Sequence, residues 1–111
     1  KIRYIVPLAN HEGLISGHFG EAPYFALVDI DIAKKHVEKT EIIKNPHEQV
    51  TKGKGLIVAN FLVTFKPDTI ATRENLAGKG PGYVFADGGI ATEQTDAVDL
   101  KTFIQRSIGK L

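Results

Sequence analysis

The residues best suited by type and spacing to do chemistry form the run Ser16-Gly17-His18-Phe19-Gly20-Glu21-Ala22-Pro23-Tyr24-Phe25. One imidazole stands in a loop that two glycines make sharp. A proline and a stretch of large apolar residues anchor the loop from behind. Neutral imidazole is a borderline-soft donor that suits zinc, copper, iron and nickel, and through one open coordination position it can hold a pre-assembled cluster. Gly17 and Gly20 allow a ligand to approach the backbone without a Cβ in the way, and neighbouring N–H groups can face an anion. An architectural reading of the same residues stands beside this one. In it His18 bonds a carbonyl and pins the turn, and Phe19 plugs the core.

The remaining donors are scattered. His47 follows Asn45-Pro46 in a linker expected to face the same region, His11 lies in the first loop, and His36 sits at a turn beside two lysines. None has a ligand spacing such as H-x-x-x-H. His18 and His47 are the metal candidates; the alternative for His18 is the turn-pinning role above, and a histidine such as His47 or His11 is more often a solvated surface residue. Lys52-Gly53-Lys54-Gly55 and Gly78-Lys79-Gly80-Pro81-Gly82 precede apolar helical segments. Free N–H groups at a helix start plus a lysine make a general anion cradle, though neither run is a Walker motif or a dinucleotide fingerprint. Asp29 and Asp31 fall on one face of a strand and read as solvated hairpin charges, with no third acid to complete a two-metal site. There is no G-x-S-x-G elbow and no Ser/His/Asp set, so a binder rather than an enzyme is expected.

Composition narrows the classes further. The 111 residues suit one domain spanning 1–111, and 42% hydrophobic with 24% charged content is ordinary for a globular protein. A formal charge of +1 gives no basic excess for nucleic acid. The absence of cysteine rules out disulfides and thiolate-held metal, so metal chemistry must run through histidine, carboxylates or backbone. No apolar stretch reaches the ~18 residues of a membrane span, and no leader is visible before Lys1. A cytoplasmic location is the expectation.

The elements that must position His18 follow from period and punctuation. Residues 2–6 alternate and read as a strand ending at Pro7. Residues 24–31 make a second strand, apolar on both faces until Asp29, and residues 37–43 a third, near an edge. Residues 56–65, apolar almost throughout, read as a buried helix. Residues 69–72 form a fourth strand, 83–87 a short helix and 90–92 a fifth strand. The last helix has Asp96 as N-cap with Asp99 in its first turn. Ala97, Leu100, Phe103, Ile104 and Ile108 make its apolar stripe, and Gly109 ends it. The order β-β-β-α-β-α-β-α implies an α/β fold with a mixed five-stranded sheet and helices on its faces. Ligands in such sheets sit beyond the carboxyl ends of the parallel strands. That brings residues 10–20 and 73–82 together around His18.

The run 16–25 resembles the hallmark of the dinitrogenase iron-molybdenum cofactor biosynthesis family, the NifX/NifB-type domain. Its pattern Ser-x-His-Phe-Gly-x-Ala-Pro-Tyr-Phe is met at every fixed position. Asn45-Pro46, Gly53 with Gly55, and a short terminal helix extend the likeness over nearly the whole chain. The resemblance implies a ribonuclease H-like three-layer α/β/α fold without nuclease activity. It further implies binding or carriage of an iron-sulfur or iron-molybdenum-type cluster or its precursor, with a cofactor-accepting protein as partner. His18 matches the family's motif histidine and is the implied cluster contact. Ser16, Phe19 and Gly20 shape its loop, and His47 and Gly80 flank it. Two features depart from the pattern: Glu21 stands where arginine is frequent, and residues 78–87 are rich in glycine. They favour an alternative, an interaction or regulatory module that keeps the fold without a cofactor. A further reading is a phosphate binder using Lys54 and Lys79.

Overall fold

Alternation along the first two strands sets the layers of the molecule, which the computed structural model describes over residues 1–111. In β1 (Ile2–Leu8) Ile5 enters one apolar cluster, while Tyr4, Val6 and Leu8 enter another on the opposite face. β2 (Tyr24–Asp31) repeats the division, with Phe25 and Leu27 on one side and Ala26, Val28 and Ile30 on the other. A strand pointing apolar side chains both ways must be covered on both faces. The helices do this. α1 (Lys54–Val63) and α2 (Gly80–Asp87) supply Val58, Ala59, Leu62 and Phe85 to the first cluster. α3 (Leu100–Gly109) supplies Leu100 and Phe103 to the second.

With β3 (His36–Lys44), β4 (Thr69–Thr72) and β5 (Ala91–Gln94), the sheet has the order β3-β2-β1-β4-β5. β1–β2 and β2–β3 are antiparallel, and β1–β4 and β4–β5 are parallel. The expected mixed five-stranded sheet and three-layer α/β/α architecture are what the chain adopts.

Beyond shifts of one to three residues at the ends of β3, α1, α2 and β5, four details differ from expectation, each for a local reason. β1 runs through Pro7 to Leu8 instead of stopping at the proline. Pro7 accepts a hydrogen bond from the Ser16 N–H at 2.9 Å. Its missing donor therefore falls on the same side, where the short ladder with β4 (Tyr4 and Ile5) has already ended. α1 is apolar almost throughout, Lys54 and Asn60 aside, yet not buried all round, since Leu56 and Ile57 are 46% and 38% exposed. It lies in an outer layer, and a run of uniform hydrophobicity does not say which side faces water. α3 is capped by Asp99, whose carboxylate accepts from the Thr102 N–H at 2.8 Å. Backbone bonds from Ile15 to Val98 and from Leu100 to Gly13 hold residues 98–100 against the first loop, so a helix cannot begin at Asp96. Asp96 pairs instead with Arg106, and Gly109 is the last helical residue. Asp29, finally, is 4% exposed and joined to Arg3, not a solvated hairpin charge.

Candidate functional site

The loops leaving β1 and β4 meet at the carboxyl end of the sheet, and a few contacts fix how. Ser16 is 9% exposed and bonded through its N–H to Pro7. Its hydroxyl donates to the His18 carbonyl at 2.9 Å and accepts from the His18 N–H at 3.2 Å. This local turn sets the backbone of His18 from the N-terminal side. Phe19 sets it from the other. Its ring is 2% exposed, with centroids 6.0 Å from Phe25 and 5.6 Å edge-on from Phe85.

The Phe19 N–H donates to the Glu74 carboxylate at 2.5 Å, and Glu74 also receives Lys79 at 3.2 Å. The Thr72 hydroxyl bonds the Glu74 carbonyl at 2.6 Å. Glu74 thus ties the two loops together, a role the sequence reading did not assign. Its only advance signal was an acid two residues after the fourth strand, in a loop expected to flank His18. Asn45 was likewise missed as a clamp. It is 1% exposed, its side-chain amide donates to Ala22 and its backbone N–H to Pro23, both at 2.9 Å.

The three glycine-bearing turns converge. A Cβ placed on Gly20 would stand 3.8 Å from Gly55 Cα, one on Gly55 would stand 3.0 Å from Pro81, and one on Gly80 would stand 2.9 Å from Leu56. The His18 loop therefore rests on the start of α1, and α1 on the start of α2. Both helices begin without a side-chain cap. The backbone N–H groups of Gly17, Gly20 and Glu21 have no protein acceptor, while those of His18 and Phe19 are taken by Ser16 and Glu74. The His18 side chain itself is exposed and bonds to nothing in the protein.

Electrostatics around the loop are balanced in pairs. Glu21 receives Lys54 at 3.2 Å on both carboxylate oxygens, and Glu74 receives Lys79. Lys54 thereby offsets the repulsion that Glu21 would exert on an anionic ligand. The same pairing engages both lysines that a phosphate cradle would need.

The other histidines lie elsewhere. His47 packs edge-on against Phe61 at 5.5 Å, about 9 Å along α1 from Gly55 by helical rise. His11 packs against Tyr24 at 4.4 Å, and His36 is exposed in the first residue of β3. No three His, Asp or Glu side chains converge as metal donors. A single ion enclosed by protein ligands is therefore a poor fit here. A pre-assembled cluster, needing one protein donor and some N–H groups, fits this donor set better.

A three-layer α/β/α domain with its open loop at the carboxyl ends of the parallel strands is the architecture defined so far. Residues 2–105 match the profile of the dinitrogenase iron-molybdenum cofactor family, and the chain belongs to that family. Membership implies involvement in the biosynthesis or binding of that kind of cofactor.

Solved structures agree on the fold. The chain is similar to the crystal structure of PH0822 (TM-score 0.81, 23% identity, covering 98% of this chain and 92% of that one). It is also similar to the apo form of the orange protein from Desulfovibrio gigas (TM-score 0.79, 20% identity, 97% and 88% covered). A protein from Thermotoga described as NifB-type aligns with TM-score 0.72 and 15% identity, over 99% and 89% of the two chains. None of the curated protein sequences matches the chain. No helix is long and apolar enough to cross a membrane.

Proposed function

We propose that this chain is a cytoplasmic binder or carrier of an iron-sulfur or iron-molybdenum-type cluster or its precursor, with His18 as the protein ligand. The chain acts as one domain and hands its cargo to a cofactor-accepting protein, without catalysing a reaction itself. The observation that carries this reading is the state of His18: an exposed imidazole, bonded to no protein group, on a backbone pinned from both sides by Ser16 and Phe19. A histidine that served only to hold its turn would have its ring engaged. Here the Ser16 hydroxyl and the Glu74 carboxylate do the holding, which leaves the imidazole for a ligand.

Gly20 and Gly80 shape the floor of the loop through their contacts with α1. His47, set against Phe61, is a flanking residue at most and is not needed as a ligand. Holding the cargo through one imidazole plus N–H donors suits a carrier, since few bonds must break on transfer. Anaerobic titration of the intact chain with a soluble iron–sulfur cluster, followed by visible absorption, tests the proposal. His18→Ala should abolish the cluster-dependent spectrum while changing stability by no more than about 0.5 kcal/mol, because the side chain is exposed. Equal cluster binding by wild type and variant would overturn it.

A further inference from the structure

The carboxyl end of the sheet carries a second feature, on the α3 side, that the His18 loop does not use. Beyond the exits of β4 and β5 lies a cleft of about 440 Å³, within the range of small-molecule sites. Phe103 is its only hydrophobic lining residue. The rest is polar and includes Arg73, Thr95, Arg106 and Lys110.

The charges there are unevenly matched. Asp96 engages one edge of Arg106. Glu93 stands 3.8 Å from Lys110, beyond hydrogen-bonding distance. Arg73, exposed and leaving β4 directly, has no carboxylate partner, so three cations face two acids. Donors are in excess too. The Thr95 oxygen accepts from the Ala97 N–H at 3.1 Å, which frees its hydroxyl proton to donate outward. Each guanidinium offers five N–H donors in a planar fork that matches carboxylate and phosphate oxygens.

We propose that this cleft binds a small dianion, a phosphate or a dicarboxylate, between Arg73 and Arg106, with Lys110 and the Thr95 hydroxyl completing the contacts. The site is separate from the His18 loop, although neighbours on the chain serve the two: Arg73 faces the cleft while Glu74 holds the Phe19 N–H.

Calorimetric titration of the intact chain in a low-salt chloride buffer, with inorganic phosphate in one arm and succinate in the other, tests this. Saturable binding of either anion is expected, and the preferred arm identifies the ligand class. Arg73→Gln, at an exposed position whose fold can be checked by circular dichroism, should weaken binding by about tenfold, the loss of one charge-assisted contact. Lys110→Gln should weaken it less. His18→Ala should leave it unchanged, which keeps failure here distinguishable from failure of the cluster proposal. Saturation by neither anion in the millimolar range, or wild-type affinity in Arg73→Gln, would overturn the inference.

Discussion

Ser16 does two things with one hydroxyl, donating to the His18 carbonyl and accepting from the His18 N–H. Because the residue is buried, Ser16→Ala leaves two backbone groups without that partner and should cost about 1 kcal/mol, a few degrees in melting temperature. Its second expected effect is local: faster hydrogen exchange at the His18 amide, and weaker cluster binding than wild type with the ligand still present. If exchange at that amide is unchanged, the hydroxyl does not hold the loop. Phe19 as a plug of the core was legible from its type and place, and its ring is 2% exposed, whereas a part for Ser16 came only with the family resemblance. Glu74 was not legible, because its contact with Phe19 spans 55 residues and depends on two loops meeting in space. Glu21 misled for a related reason: it reads as an unfavourable charge until Lys54 is seen beside it.

Helices and strands were legible to the extent that their punctuation was unambiguous. All eight elements were expected in the order observed, and β2 and β4 with the observed limits. The start of α3 was misplaced because Asp96 and Asp99 are equally good caps by type, and pairing between the first loop and residues 98–100 decides between them. Residues 78–82 read as a glycine-rich loop ahead of a short helix, yet α2 begins at Gly80, and one of these glycines is what lets it form where it does. A Cβ on Gly82 would stand 2.2 Å from the Leu76 carbonyl oxygen, a backbone atom that cannot swing aside. Gly82→Ala should therefore destabilise the fold by about 1–3 kcal/mol as α2 is pushed off its seat. Gly17→Ala is the control. Nothing lies within 4 Å of its Cβ, so chemical denaturation should place it within about 0.5 kcal/mol of wild type. Equal midpoints for the two variants would show that α2 tolerates the shift.

The two ends of the sheet are put to different uses. Near the start of β1, Arg3 meets Asp29 of β2 through paired contacts of 2.8 and 3.0 Å and donates to the Phe65 carbonyl at 2.7 Å. One side chain thus joins two strands to the segment that follows α1. This network lies about 16 Å along β1 from Leu8, where the His18 loop departs, by the rise of a strand. The Arg3 guanidinium, with Lys1 further off, holds the Asp29 carboxyl below its usual value against the opposing effect of burial.

The consequence for stability has a definite sign. Below about pH 3.9 the unfolded chain protonates Asp29 while the folded chain does not. The pair's contribution is therefore full above that value and is lost as the pH falls through the lower folded-state pKa. Asp29→Asn removes the charge at every pH. Wild type should exceed it by about 1.5–3 kcal/mol near neutrality, and the gap should close as the pH falls below about 3.9, measured by urea unfolding at each pH. An offset that stays constant into acid would mean that Asp29 stabilises by shape and not by charge. Because the network sits at the end of the sheet away from His18, cluster binding by Asp29→Asn at neutral pH should match wild type. Loss of both properties together would show that the sheet transmits strain from one end to the other.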